Sequence, residues 1–99
     1  MDIHEAKKLI DQKTVTVVDI RDPETFQQGR IQGAVFLNNA NLEDFLKNVN
    51  KQIPLLCYCY HGITSQGAVE YFRNHGFAQV YSLDGGFEAW STQYPVING

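Results

Sequence analysis

The sequence predicts an α/β protein with a largely parallel central sheet flanked by helices on both faces. Short β-branched or apolar segments alternate along the chain with segments whose apolar residues recur every three or four positions. The connections between these segments are short, and right-handed crossovers place helices on both faces of a parallel sheet. The 99 residues are enough for one hydrophobic core and too few for two. We therefore expect residues 1–99 to form a single domain.

The first half of the chain predicts three helices and two strands. Asp2 is expected to cap the first helix, with Glu5 as its capping-box partner. Residues 15–20 are β-branched and predict a strand, after which Asp22 and Pro23 begin a second helix that ends near Gly29. Residues 34–37 predict a second, short strand. Asn41 is then expected to cap a helix with apolar residues at helical spacing, namely Leu42, Phe45, Leu46 and Val49.

The second half predicts two more strands and two more helices. Residues 53–58 are almost continuously apolar, which is typical of a strand buried on both faces. A polar loop follows, and residues 65–75 have a helical pattern that ends at Gly76. Residues 79–83 predict the last strand and residues 84–86 a turn. A final helix is expected to carry an aromatic face and to end before Pro95.

Composition excludes several classes of function. The net charge of -3 and the pI near 5.4 leave no basic surface of the kind that binds nucleic acid. No apolar run is long enough for a membrane span, and residues 1–13 lack the apolar stretch of a secretory signal. The two cysteines are too few for a disulfide framework or a structural zinc site. We therefore expect a cytoplasmic, reduced protein with no metal.

The loop after the third predicted strand, residues 53–58, is where chemistry is expected, because ligands bind beyond the carboxyl ends of parallel strands. Cys59 is the first residue after the most apolar strand, and a helix begins a few residues later. Loop amides and a helix N-terminus together bind anions and favour a thiolate over a thiol. Gly62 allows the loop to curl, and Thr64 and Ser65 offer hydroxyls and helix caps. Cys59 is thus either a nucleophile or a partly buried structural thiol.

Three segments, in order and spanning nearly the whole chain, resemble the signatures of the rhodanese family. They are Val18-Asp19-Ile20-Arg21-Asp22-Pro23 with the residues that follow to Ala34, then Cys59-Tyr60-His61-Gly62-Ile63-Thr64-Ser65, then Asp84-Gly85-Gly86-Phe87-Glu88-Ala89-Trp90. The chain most resembles the small bacterial members associated with glycerol-3-phosphate operons. It departs from the pattern at Arg30, where many relatives carry His, and at Gln66, where close relatives often carry a cation. The second change removes a positive charge near an anionic substrate.

The resemblance implies a thiosulfate sulfurtransferase that needs no metal and no organic cofactor. Cys59 would take the outer sulfur of thiosulfate as a persulfide and pass it to a thiophilic acceptor, either cyanide or a dithiol protein of the thioredoxin type. The backbone amides of the loop would bind the transferred sulfur and its charge, and they belong to Tyr60, His61, Gly62, Ile63, Thr64 and Ser65. The physiological donor and acceptor and the oligomeric state stay open.

Several neighbouring residues have two interpretations. Cys57 is expected to be a core thiol, with a resolving cysteine as the alternative. Arg21 and Arg30 could approach the substrate, or Arg21 could instead pair with Asp19, Asp22 or Asp84 and hold loops together. His61 is either catalytic or an exposed loop residue. The aromatic residues of the last helix are expected in the core, with a wall beside the persulfide as the alternative.

Two other functions compete with sulfur transfer. Cysteine-based phosphatases and arsenate reductases also place a Cys loop between a strand and a helix, but they carry, after five intervening residues, an Arg that binds the oxyanion. Here the corresponding position is Ser65, which argues against phosphoryl transfer. A rhodanese-like domain that only binds a protein partner is the second alternative, although such domains commonly lack the Cys that this chain retains.

Overall fold

The computed structural model describes all residues 1–99 and confirms an α/β fold built on one parallel sheet. The strands are β1 (Thr16–Asp19), β2 (Val35–Phe36), β3 (Leu55–Tyr58) and β4 (Val80–Ser82). They lie in the order β2-β1-β3-β4, and every pairing between them is parallel. The predicted sheet was largely parallel, and the observed one is entirely so. β3 therefore occupies an interior position with a partner on each side.

Five helices accompany the four strands, as the sequence predicts. They are α1 (Ile3–Asp11), α2 (Pro23–Gln28), α3 (Leu42–Asn48), α4 (Thr64–Asn74) and α5 (Gly86–Gln93). None of them is long and apolar enough to span a membrane.

Two apolar clusters lie on opposite faces of the sheet, which confirms that helices cover both. Leu56 and Tyr58 of β3 belong to a cluster with Ala6 of α1 and Trp90 of α5. The alternate residues Leu55 and Cys57 pack on the other face against α3 and α4. Successive side chains of a strand point to opposite faces, so a strand that is apolar at every position is covered on both. All four residues of β3 are buried accordingly.

The strands are shorter than the apolar segments that predict them. The third strand is expected from residue 53, but β3 begins at Leu55 and Ile53 is 38% exposed. Pro54 lies between them, and proline has no N–H to donate to a ladder. It contributes only its carbonyl, which accepts a hydrogen bond from Thr16 N at 2.9 Å.

The predicted caps are correct for the first two helices and wrong for the next two. Asp2 accepts from Glu5 N at 2.8 Å, and Asp22 accepts from Thr25 N at 2.9 Å. Asn41 precedes α3 without capping it, because its side chain donates to Phe36 O and accepts from Asn38 N. In α4 neither Thr64 nor Ser65 is the cap: Thr64 is already the first helical residue and Ile63 precedes it. The Ser65 hydroxyl instead contacts the hydroxyl of Ser82, at the end of β4.

Candidate active site

The parallel register brings the carboxyl ends of three strands together at one edge of the sheet. Asp19 ends β1 opposite Tyr58, and Ser82 ends β4 opposite Cys57. Cys59 follows immediately after β3, between these two neighbours. The loop from Cys59 to Ile63 then leads directly into α4, so the nucleophile predicted from sequence lies at the expected edge.

Polar groups of its own loop converge on the Cys59 sulfur. Gly62 N donates to Sγ at 3.2 Å and Ser65 N donates at 3.3 Å. The Ser65 hydroxyl oxygen lies 3.4 Å from the same atom. Cys59 is only 7% exposed, so these contacts form in a largely water-excluded site. Donors in that arrangement stabilise a negatively charged sulfur atom.

The loop closes this tightly because two glycines allow it to approach the turn after β4. Gly62 has φ of +86°, and a Cβ there would lie 2.9 Å from Gly85 N. Gly86 has φ of +60°, and its Cβ would lie 2.5 Å from the carbonyl oxygens of both Cys59 and Tyr60. Both positions therefore require a residue without a side chain, for conformational and for steric reasons.

The N-terminal turn of α5 also binds the loop from outside. Phe87 N donates to Cys59 O at 2.8 Å, and Glu88 N donates to Tyr60 O at 3.0 Å. These are backbone donors that a helix leaves without intrahelical partners. The segment 84–90, which resembles a family signature, thus positions the backbone of Cys59 and Tyr60.

The pKa values of the two cysteines are shifted in opposite directions. Burial would raise the pKa of Cys59, but hydrogen bonds from the Ser65 side chain and from the amides of Ser65, Gly62 and Thr64 outweigh it, so that the pKa falls below its usual value. Burial raises the pKa of Cys57 to about 12. Cys57 is fully buried among apolar side chains, which confirms the interpretation as a core thiol. Its sulfur lies near two carbonyl oxygens, those of Ser65 and Tyr81.

The six loop residues predicted to bind sulfur do not contribute equally. Gly62 and Ser65 donate directly to the cysteine sulfur, and the Thr64 amide helps to lower its pKa. No hydrogen bond joins Tyr60, His61 or Ile63 to that sulfur. Tyr60 is 46% and Ile63 is 73% exposed.

His61 is an exposed loop residue in this structure. Its Nδ1 lies 3.4 Å from Glu88 Oε1, with both side chains more than half exposed, and its ring packs edge-on against Tyr60 at 4.6 Å. It makes no hydrogen bond to Cys59.

Arg21 forms an ion pair with Asp19, one of the three partners that the sequence suggests for it. Its Nη2 lies 2.6 Å from Asp19 Oδ2 and also donates to Gly29 O at 2.7 Å. The guanidinium stacks over Phe87 at 4.2 Å, and Asp19 is fully buried. The pair thereby connects the end of β1, the end of α2 and the start of α5. Arg21 and Phe87 line a cavity of about 240 Å³ beside Tyr60.

Arg30 lies apart from the cysteine loop. Its backbone forms an antiparallel bridge with Ile97, and its side chain stacks over Phe26 at 4.6 Å and donates to the Phe26 carbonyl. The departure from the family pattern at this position therefore does not alter the surroundings of Cys59.

Sequence reasoning missed one member of the site, Ser82. Its hydroxyl oxygen lies 2.7 Å from Ser65 Oγ, although 17 residues separate the two in the chain. A signal was present, because Ser82 is a small polar residue near the end of an apolar strand and in register with Cys57. The register between β3 and β4 was needed to place it. No group of three or more His, Cys, Asp or Glu side chains is arranged to hold a metal ion.

Comparisons with known proteins agree with this architecture. A family model described as a rhodanese-like domain matches residues 2–93. Thiosulfate sulfurtransferase GlpE from Vibrio cholerae is 46% identical over 90 residues, which are 91% of this chain and 85% of that protein. GlpE from Pseudoalteromonas translucida is 44% identical over 92 residues, covering 93% of this chain and 88% of its own.

Solved structures show the same fold. A rhodanese-related protein from Thermoplasma volcanium superposes with a TM-score of 0.85 at 25% identity, covering all of this chain and 97% of that one. A thiosulfate sulfurtransferase from Pseudomonas aeruginosa, 20% identical, shares the fold with a TM-score of 0.89 over all of this chain and 19% of its own. The family match over nearly the full length, together with the cysteine loop and the turn that holds it, shows that this chain belongs to the rhodanese family.

Proposed function

We propose that residues 1–99 act as a single catalytic domain, a thiosulfate sulfurtransferase with Cys59 as its nucleophile. The observation that carries the proposal is the convergence of the Gly62 and Ser65 amides on the Cys59 sulfur. Such donors stabilise a thiolate before the reaction and a persulfide anion after it. The relatives named as thiosulfate sulfurtransferases support the choice of donor.

The first half-reaction loads the enzyme with sulfur. The Cys59 thiolate attacks the outer sulfur of thiosulfate and forms a new S–S bond to it. The original S–S bond of thiosulfate breaks, and its electron pair leaves with sulfite. Sulfite leaves as a dianion, and the persulfide carries one negative charge on its terminal sulfur, which was the outer sulfur of thiosulfate and stays within the loop of residues 60–65. Neither a metal nor an organic cofactor takes part.

The second half-reaction transfers the terminal sulfur to an acceptor. Cyanide or a thiolate attacks that sulfur, the persulfide S–S bond breaks, and the Cys59 thiolate is regenerated with the bonding pair. We propose a thioredoxin-like dithiol protein as the biological acceptor. The exposed side chains of Tyr60 and Ile63 support it, because they provide an apolar surface beside the nucleophile. Both cysteines are free, which suits a reducing compartment such as the cytoplasm.

The proposal is tested by intact mass spectrometry after brief exposure to thiosulfate without an acceptor. We expect the mass of one added sulfur atom, located on Cys59 by peptide mapping, and its loss when cyanide is added. Cys59→Ser should remain folded and gain no sulfur, because a serine hydroxyl is not ionised near neutral pH. Cys57→Ser is the matched control and should load normally. Sulfur on Cys57, or loading of Cys59→Ser, would contradict the proposal.

A parallel assay separates the competing functions. Release of sulfite from thiosulfate plus cyanide is expected, whereas hydrolysis of an aryl phosphate is not. Ser65 occupies the position of the phosphatase Arg, and its side chain is fully buried. Absence of both activities in folded protein would favour the alternative of a domain that only binds a partner.

A further inference from the structure

We propose that Ser82 is a positioning residue for the nucleophile: its hydroxyl donates to Ser65 Oγ and so directs the single Ser65 proton toward the Cys59 sulfur. Ser82 lies at the end of β4, whereas Cys59 and Ser65 belong to the loop and the first turn of α4. The proposal deepens the assignment of Cys59 as nucleophile, on which it rests.

The direction of the hydrogen bonds follows from counting protons. The Ser65 and Ser82 oxygens are 2.7 Å apart, and either hydroxyl could donate to the other. A thiolate has no proton and can only accept, so Ser65 must donate to Cys59 across the 3.4 Å contact. Its one proton is then used, and Ser65 Oγ can only accept from Ser82. The ionised site therefore contains a directed chain from Ser82 through Ser65 to Cys59.

The Ser65 hydroxyl has few possible hydrogen-bond partners. Its side chain is fully buried, and Cys59 and Ser82 are the only hydrogen-bond neighbours of its hydroxyl. A hydroxyl that already accepts one hydrogen bond is polarised and becomes a better donor in the next. The backbone of Ser82 is held by the strand pairing that aligns it with Cys57.

Charged groups around the sulfur are paired or turned away from it. On β1 and the segment after it, Arg21 and Asp19 neutralise each other. On the loop and α5, His61 and Glu88 lie together at the exposed surface. Cys57, on β3, has its pKa raised to about 12 and stays neutral. No Asp, Glu, Lys or Arg occurs from Cys59 to Val69. Beside β4, the N-terminal ammonium donates to the Ser82 carbonyl and pairs with Asp84. The dipoles of the loop amides and of the two serine hydroxyls are therefore the main electrostatic influence on the Cys59 thiolate.

The test measures the thiolate directly, as the rate of iodoacetamide alkylation of Cys59 against pH. Ser82→Ala should raise the midpoint of the profile by about half a pH unit, which lowers the rate below the midpoint about threefold. Ser82→Thr keeps the hydroxyl and should restore the wild-type midpoint. Ser91→Ala is the control, because Ser91 bonds only to the Glu88 carbonyl on the exposed side of α5.

A double substitution distinguishes a directed chain from a general loss of structure. In a Ser65→Ala background, Ser82→Ala should no longer move the midpoint, because the intermediate hydroxyl is already absent. An unchanged midpoint in Ser82→Ala, or an equal shift with and without Ser65, would overturn the proposal. Alkylation requires no sulfur donor. These outcomes are therefore independent of whether the protein loads sulfur from thiosulfate.

Discussion

Replacing Gly86 with alanine should distort the loop of residues 59–63, although Gly86 lies outside that loop. The new Cβ would lie 2.5 Å from the carbonyl oxygens of Cys59 and Tyr60 and 2.7 Å from Gly62 N. All three are backbone atoms, so no flexible side chain can move aside. Either the loop or the start of α5 must shift. The hydrogen bond from Phe87 N to Cys59 O joins these two segments in the wild type, so a shift of either segment would strain it.

The expected cost combines two contributions. A side chain at φ of +60° costs about 1–2 kcal/mol, and forcing an extra carbon into a closely packed site adds about 1–3 kcal/mol. Gly86→Ala should therefore lose about 2–5 kcal/mol of the free energy of unfolding. Movement of the loop by a fraction of an ångström should also reduce sulfur transfer in the folded protein by about tenfold or more.

Two other glycines provide matched controls. Gly33 has φ of +83° with no atom within 4 Å of a Cβ, so Gly33→Ala should show only the conformational cost of about 1–2 kcal/mol. Gly67 lies within α4 with open space around it, and Gly67→Ala should gain about 0.5–1 kcal/mol. Neither control should alter activity.

Urea unfolding of the three variants measures the free energies, and sulfite release measures the activity of the folded fraction. The reasoning predicts the stability order Gly67→Ala, wild type, Gly33→Ala, Gly86→Ala, with activity lost only in the last. It would be refuted if Gly86→Ala were as stable as Gly33→Ala, or if it retained wild-type activity.

Three further predictions concern single side chains. Cys57→Ser should lower the free energy of unfolding in urea by only about 1 kcal/mol, because two carbonyls can accept a hydrogen bond from the new hydroxyl. In the native wild-type protein at pH 8, iodoacetamide should alkylate Cys59 alone, and labelling of both cysteines would contradict this. Asp19→Asn should lower the free energy of unfolding by about 3–5 kcal/mol by leaving Arg21 without its buried partner; a loss within experimental error would contradict it. Gln66→Arg should lower the KM for thiosulfate a few-fold at low salt, and an equal KM in both proteins would contradict it.

Local sequence patterns predict the elements of this fold well because their causes are local. The carboxylates of Asp2 and Asp22 cap their helices by accepting from amides three residues away, and Asp22 also accepts from the hydroxyl of the same residue, Thr25. Asn41 has the same capping chemistry, but its amide meets a carbonyl at the end of β2. The apolar residues at positions 53–58 predict a strand, yet they do not reveal that Pro54 delays its start. Tertiary partners, which the chain order does not specify, decide such cases.

The position of Cys59 could be predicted from the sequence, whereas many of the contacts around it could not. Cys59 is identifiable because the end of an apolar strand before a helix is a local feature. Ser82 reaches Ser65 only through the register of β3 with β4. The close approach of Gly86 to the loop depends likewise on the packing of two distant segments. The family resemblance identifies segment 84–90 without giving its physical role, which the backbone contacts supply.

The contrast between the two cysteines indicates that burial alone does not determine the pKa of a thiol. Both are buried, and desolvation is the largest influence on the pKa of each. The sulfur of Cys57 faces the carbonyl oxygens of Ser65 and Tyr81, which can only accept and so favour the protonated thiol. The sulfur of Cys59 faces N–H groups, which can only donate and so favour the thiolate. Ser65 supplies an amide to one cysteine and a carbonyl to the other. The first turn of α4 therefore presents donors to the Cys59 sulfur and an acceptor to the Cys57 sulfur, while burial is the main cause that keeps Cys57 neutral.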